Sequence, residues 1–511
     1  MQLKLNEYIT VNGEVLLYCG QPDLSRLEDL SKSEGDLWHS GLQQGLRNAF
    51  PEVIYQSSVQ FWYIKDFENL SDCISWRCNP EAFVVRKAVW EQLGGFDSEY
   101  GNPLVAAFDF SYRLLRYLGG IPKHIDDLFP ANLYLQPTLS AYDRYQFFKK
   151  NFKTSHSVFM LFRCGLWNPK EVYAFWKTRN FKVKSIRQGI PARPLAKLKE
   201  YPSVSYIIPT MMRQDFTRNL LDDLSKQSVL PTEVIVIDAT PNLDVAVAYP
   251  QENYPFKLIA KQQQSKGSCR ARNEAIDLCT GEYIIFGDDD IRIPNTFIES
   301  HLSFLKTYGA EACNGLDIRA DHQQQDLHDL EQKLQKYEQE NGVRAGATSC
   351  FSNANSCVLR AVVNRLGGND VNFDGGYGED SDFGFSITKL GISVLHNPFA
   401  VNLHLKPPQG GYRYWGLQAK KSGKARKAQP WELGKPVGRI KPVPSPTIMY
   451  GIVKQFSATE LREYKIKYMV HYLISGNKLK FPLRVLNLPY KFLQFKESLY
   501  YANRLAERKT N

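Results

Sequence analysis

Two short β-branched runs, Val204–Pro209 (VSYIIP) and Val234–Asp238 (VIVID), flank Asp215–Gln227, whose apolar residues recur at helical spacing. Strand, helix, strand in that order predicts a parallel sheet whose ligands gather at the carboxyl ends of the strands. A third apolar run, within Gly281–Pro294 (GEYIIFGDDDIRIP), has the shape of a buried strand and ends in three consecutive aspartates. Thr210, Asp238 and Asp288 to Asp290 all fall at such strand ends. Between the second and third runs, Ser265–Ile276 (SKGSCRARNEAI) reads as a Gly-containing loop entering a helix that carries Arg270 and Arg272.

Carboxylates as crowded as Asp288, Asp289 and Asp290 raise one another's pKa unless a cation neutralises them. Hard cations such as Mg²⁺ and Mn²⁺ take oxygen ligands and share themselves between one or two carboxylates and a substrate diphosphate. A polar turn after a strand is the bland alternative, since Asp is a common turn residue. The neighbouring loop, helix start and guanidinium groups all favour phosphate oxygens, which points the cluster toward nucleotide chemistry.

Taken in order, VSYIIPT, VIVID, GSCRARN, FGDDDIRIP and GGNDVNFDGGYGEDSDFGFSITKLG (Gly367–Gly391) resemble a family 2 glycosyltransferase of the GT-A fold, from about Tyr201 to Pro408. The resemblance implies an α/β fold with a Rossmann-like mixed sheet, a nucleotide-diphosphate sugar donor, and Mn²⁺ or Mg²⁺ as cofactor. It makes Asp380 the catalytic base, with Glu379 beside it. It assigns the donor to Pro209, Thr210, Asp238, Arg272 and Asp288, and the metal to Asp289, Asp290 and His404, the last within VNLHLKPP. For Asp380 the bland alternative is a helix N-terminal carboxylate stabilised by the macrodipole; for His404 it is a hydrogen-bonded histidine. Two positions depart from the pattern. Asp238 is followed by Ala239 and Thr240 instead of a second Asp, and Gly287 stands where many relatives have the first Asp of the metal motif.

The region before residue 200 contains a partial repeat. Phe83–Pro122 can be laid on Val358–Val394 so that an Arg precedes a helix, a Gly-Gly turn follows, and an Asp stands fifteen residues after the first Gly, Gly94 to Asp109 and Gly367 to Asp382. Opposite Glu379 and Asp380 are Ala106 and Ala107. The expected organisation is therefore a degenerate, non-catalytic GT-A-like domain over 1–181, a Pro-rich linker over 182–202, a catalytic GT-A domain over 203–430 and a basic, mostly helical extension over 431–511.

The chain has 511 residues, 43% of them hydrophobic, enough for several cores. Nine cysteines without a CxxC pair favour a reducing compartment, and no apolar run reaches signal-peptide or bilayer-spanning length, so a cytoplasmic protein is expected. The net charge of +11 invites a nucleic-acid reading, which the absence of an aromatic-basic platform disfavours. The basic residues concentrate in Arg413–Lys427, either a mobile lid over the donor or a solvated loop, and in the tail. There, Leu461–Ile474 and Tyr490–Leu505 mix aromatic and aliphatic with basic residues at helical spacing, broken by Pro482 and Pro489. Such helices either lie peripherally on the inner membrane face or pack on the catalytic domain. The expected activity is inverting transfer of a sugar to a hydroxyl of a glycan or lipid-linked glycan in bacterial surface polysaccharide synthesis. A protein or small-molecule acceptor, and a non-catalytic nucleotide- or carbohydrate-binding scaffold, are the alternatives.

Overall fold

A computed structural model of the chain describes residues 4–40, 70–130, 139–183, 189–408, 410–412 and 429–508. The basic segment Arg413–Lys427 lies outside the described residues. The chain builds two sheets. The first holds six short strands: β1 (Asn6–Ile9), β2 (Val15–Cys19), β3 (Leu37–His39), β4 (Asp72–Ile74), β5 (Phe83–Arg86) and β6 (Pro122–Ile125), in the order β1-β2-β5-β3-β6-β4.

The second sheet holds nine strands: β7 (Val204–Thr210), β8 (Glu233–Asp238), β9 (Lys257–Gln262), β10 (Tyr283–Gly287), β11 (Ile291–Arg292), β12 (Ala312–Arg319), β13 (Gly346–Thr348), β14 (Asn355–Leu359) and β15 (Val394–His404). Its order is β11-β15-β12-β14-β10-β7-β8-β9, with β13 paired to β15. Strands β10, β7, β8 and β9 run parallel, whereas β14 runs antiparallel to both β10 and β12, so the sheet is mixed and the fold α/β. Every residue of β7 and β8 is buried, the reason both read as continuous apolar runs without alternation. The helix between them, Gln214–Ser225, turns Leu220, Leu221 and Leu224 onto the sheet.

The parallel register brings the functional positions to one edge. Thr210 pairs with Asp238, Phe286 with Ile207, and the aspartate triplet follows β10 at that same edge. The turn from β10 into β11 then lays Ile291 against His404 at the end of β15, and Leu405 N–H donates to the Asp290 carbonyl at 2.8 Å.

The two sheets are held together by polar contacts along the segment that joins them. Arg193 reaches Asp36 and the carbonyls of Ser33, Glu34 and Gly35, while its own N–H donates to the Tyr308 hydroxyl. Ser393 donates to Glu34 at 2.6 Å, and Arg344 to the Tyr117 carbonyl at 3.0 Å.

After the second sheet come helices Pro446–Gln455, Ala458–Ile474, Phe481–Leu486 and Leu488–Glu507. Pro482 and Pro489 sit in the first turns of the last two, where the missing N–H costs nothing, so they divide the tail instead of kinking it. The second half of Leu488–Glu507 packs Phe495, Tyr501, Ala502 and Leu505 against Phe373, Met449, Tyr450 and Trp431. That half docks on the second sheet's domain. Among the described residues no helix is long and apolar enough to cross a membrane.

Candidate active site

The edge where β7, β10 and β15 end opens into a cavity of about 340 Å³. Pro209, Arg213, Arg272, Asp288, Asp289, Asp290, Asn353, Glu379, Asp380, His404 and Tyr412 all line it. Strand ends, helix turns and loops far apart in sequence supply these groups.

The three aspartates have separate surroundings. Asp288 accepts from Arg272 at 2.6 Å. Asp289 turns away from it, accepting from the Thr210 hydroxyl at 2.8 Å and from Arg213 at 2.9 Å. Asp290 accepts from the same Arg213 nitrogen at 3.0 Å and lies 3.4 Å from His404 Nε2. Asp288, Asp290 and His404 offer three ligand atoms within 4.8 Å of one another. The grouping differs from the expectation, which placed Asp289 with the metal and Asp288 with the donor: Asp289 is instead taken up by the Thr210 hydroxyl and Arg213. Gly287 has a packing cause of its own. A Cβ there would sit 2.5 Å from the buried Tyr206 ring, so the acidic cluster begins one residue later.

Burial drives the Asp289 carboxyl up to about 7 despite the opposing Arg213 charge, with Asp290 adding to the rise. Asp290 goes the other way: burial opposes its ionisation, but His404 and Arg213 outweigh that and hold it below the usual carboxylate range. Burial also works against a charged His404, yet Asp290 and Asp317 raise its pKa to about 10. Asp317 accepts from Nδ1 at 3.0 Å, which leaves Nε2 facing Asp290. Two carboxylates and an imidazole suit a divalent cation, whose binding at Nε2 would displace a proton.

The opposite wall starts the helix Glu379–Lys389, whose first turn carries Glu379 and Asp380. The Asn353 side-chain amide donates to Asp380. Burial is the main cause that lifts the Asp380 carboxyl to about 7; the Glu379 charge adds to it and Arg272 opposes it. Arg272 is itself buried and stands between Asp288 and Asp380, feeling the charge of both. Its Nη2 donates to Asp288, and among the described residues Nε and Nη1 meet no acceptor. Buried guanidinium donors without partners are costly, and an anionic oxygen in the cavity would satisfy them.

Three expected features lie elsewhere. Asp238 is fully buried behind the cavity, accepting from Tyr249, Gln214 and the Thr240 N–H. Thr210 is also buried, and its hydroxyl holds Asp289. Neither lines the cavity: Asp238 is enclosed by Tyr249, Gln214 and Thr240, and Thr210 by Asp289 and Thr217. Arg270 and the start of helix Ser268–Ile276 are likewise engaged internally: Asp374 accepts from Arg270 and, at 2.8 Å, from Cys269 N–H. Gly267 permits this approach, at φ 140 and with no room for a Cβ beside Asp374. Sequence reasoning missed Arg213, Asp317, Asn353 and Tyr412. Arg213 carried one available signal, its place three residues after a strand end.

Residues 205–367 match the model of glycosyl transferase family 2. The putative glycosyltransferase EpsH of Bacillus subtilis (strain 168) is 31% identical over 117 residues, 22% of this chain and 32% of that protein. The uncharacterized glycosyltransferase YibD of Escherichia coli (strain K12) is 33% identical over 99 residues, 19% of this chain and 28% of that protein. The chain thus spans about a third of the length of the curated relatives it matches. Among solved structures, mannosyltransferase PcManGT from Pyrobaculum calidifontis, in complex with GDP-Man and Mn²⁺, is 20% identical at a TM-score of 0.35, covering 62% of this chain and 92% of that one. S. aureus TarS 1-349 in complex with UDP-GlcNAc is 16% identical at a TM-score of 0.38, covering 59% of this chain and 82% of that one.

Proposed function

We propose that the chain, whose residues 205–367 match the model of glycosyl transferase family 2, is a metal-dependent, inverting glycosyltransferase using a nucleotide-diphosphate sugar. One observation carries this reading. A carboxylate with a near-neutral pKa, Asp380, faces the Asp288, Asp290 and His404 group across a single cavity, with Arg272 donors that meet no acceptor among the described residues between them.

In the proposed reaction the acceptor hydroxyl attacks the anomeric carbon, forming the new glycosidic C–O bond as the bond to the diphosphate oxygen breaks. The hydroxyl proton passes to Asp380 and the nucleoside diphosphate leaves with the bonding pair. Attack and departure occur on opposite faces of the sugar, so the configuration inverts. Arg272 binds the diphosphate oxygens through Nε and Nη1. Glu379 stays beside the base, and its charge helps keep the Asp380 pKa high enough to accept a proton. Asp317 orients His404, and Arg213 offsets the charge of Asp289 and Asp290. A divalent cation held by Asp288, Asp290 and His404 would neutralise charge on the leaving diphosphate. On the family resemblance the acceptor is a hydroxyl of a growing glycan in bacterial surface polysaccharide assembly.

The first sheet is read as a reduced, non-catalytic copy of the acceptor-side half, with Ala106 and Ala107 in place of the carboxylates. Titration calorimetry of nucleoside diphosphates with and without Mn²⁺ tests the donor site. Asp288→Asn and Asp290→Asn are expected to remove the Mn²⁺-dependent part of the affinity while the fold is kept. Affinity in Mn²⁺ equal to the wild type for both variants would overturn the assignment.

A further inference from the structure

The tail carries a protrusion that no core covers. None of the described side chains from His471 to Leu493 is buried, and helix Phe481–Leu486 (FPLRVL) has no buried residue at all. Leu479 is 87% exposed and Leu486 78%, with Leu483 and Phe492 also open to solvent. Apolar surface on this scale marks an interaction face. Its charge is one-sided: from Tyr464 to Lys496 there are seven Lys and Arg residues and no Asp or Glu.

A second patch adjoins it from the other end of the chain. Helices Thr154–Cys164 and Pro169–Lys177 expose Phe162, Tyr173 and Trp176, and Trp167 in the turn between them is 95% exposed. Between Asp143 and Glu200 the one acidic residue is Glu171, which is buried against Arg144. Contacts join the two patches. Arg163 forks onto Glu463 at 3.1 and 2.7 Å, and Lys467 of the tail lies 6.0 Å from the Phe159 ring, which neighbours Phe162. Lys465 lies 4.2 Å from the ring of Phe492, carrying the contact on to the protrusion.

The patches also hold matching places in the repeat. In each copy a helix ends on an amide side chain, Asn151 or Gln455, that donates to the repeat's buried Asp, at 2.7 Å to Asp109 and 2.6 Å to Asp382. An extended Phe follows, Phe152 or Phe456, and then the helix that leads to the patch. The same exposed feature built twice argues for a shared use.

We infer that the Trp167 turn and the Leu479–Leu493 protrusion form one footprint that docks the protein on an anionic lipid surface. Aliphatic side chains at the tip enter the headgroup and acyl boundary, Trp167 and Trp176 sit at its level, and the lysines and arginines meet lipid charge. Charge complementarity selects this occupant. A second copy would set the same acid-free basic face against itself, which two-fold contact between identical patches disfavours. The inference is independent of the transfer reaction, since lipid binding is measured without donor.

The test is co-sedimentation of the full chain with vesicles of phosphatidylcholine alone or mixed with phosphatidylglycerol, together with sedimentation velocity. Binding is expected to the mixed vesicles and to weaken with salt. Lys480→Gln with Arg484→Gln should weaken it about fivefold per charge removed. Leu483→Asp with Leu486→Asp, and separately Trp167→Ala, should each weaken it by about tenfold or more while donor affinity stays that of the wild type. Three outcomes would overturn the inference: no binding to mixed vesicles, equal binding to phosphatidylcholine alone, or a dimer that Leu486→Asp dissolves in a chain that ignores vesicles.

Discussion

The segment from β5 to helix Pro103–Tyr117 and the segment from β14 to helix Glu379–Lys389 run in one register up to a point. Each strand passes directly into a seven-residue helix, Lys87–Leu93 or Arg360–Leu366. Each helix stops at a left-handed glycine, Gly94 at φ 71, ψ 24 and Gly367 at φ 72, ψ 24. The divergence comes at the start of the next helix. In the first copy Asn102 caps from its side chain and Pro103 occupies the first turn, so the helix begins early and Ala106 and Ala107 are buried inside it. In the second, Gly375 at φ 74 and Gly378 at φ 108 hold the chain out of helix until Glu379. Gly376 is needed there, because a Cβ would meet the Thr447 side chain at 2.1 Å.

Three residues of helix thus separate a packed wall from a catalytic one. Starting late, Glu379 and Asp380 stand in a first turn that lines the cavity; starting early, the same positions become core. The aspartate shared by both copies does not follow this difference. Asp109 is buried against Arg113, Tyr100 and Asn151, and Asp382 against Lys454 and Gln455. Its work in both copies is to pin the following helix.

The largest expected effect of a change falls on Asp380. Loss of a well-placed general base costs ~10² to 10⁴ in rate, so Asp380→Asn should collapse turnover while the donor Kd stays within a few fold. Most of the transfer rate surviving in this variant would reduce Asp380 to a helix-terminal carboxylate and erase the contrast with Ala107. The counterpart on the first copy is Asp109→Ala, which strands Arg113 in the core and should cost about 3 to 5 kcal/mol in urea unfolding. Turnover per folded molecule should match the wild type. A specific loss of turnover without a loss of stability would give the first copy a part in the chemistry.

The strands of the second sheet were legible because burial on both faces makes β7 and β8 unbroken apolar runs. Three-residue strands such as β3 and β4 are too short to show a period. The aspartate triplet and the Glu379, Asp380 pair stood out because charge seldom ends an apolar run without cause. What the sequence hid is the division of labour within the triplet, which depends on Arg213, 76 positions from Asp289, and on Asp317, 87 positions from His404. Asp238 and Thr210 stand at strand ends yet do not line the cavity, for the same reason: a strand end marks the edge of a sheet, not which side chain faces the opening. The amphipathic runs on either side of the exposed tail tip, Leu461–Ile474 and Tyr490–Leu505, were legible in the sequence, whereas the junction with the Trp167 turn depends on contacts spanning 300 positions.

The pH dependence of kcat reads the proposed base in the unaltered enzyme and so tests the central claim most directly. Asp380 must be ionised to take the acceptor proton, and burial with the neighbouring Glu379 charge lifts its pKa to about 7. With donor, Mn²⁺ and acceptor saturating, the rate should be full above that pH and fall about tenfold per unit below it. An acid limb near the ordinary carboxylate value of ~3.9, or a rate that stays flat through neutrality, would contradict the account.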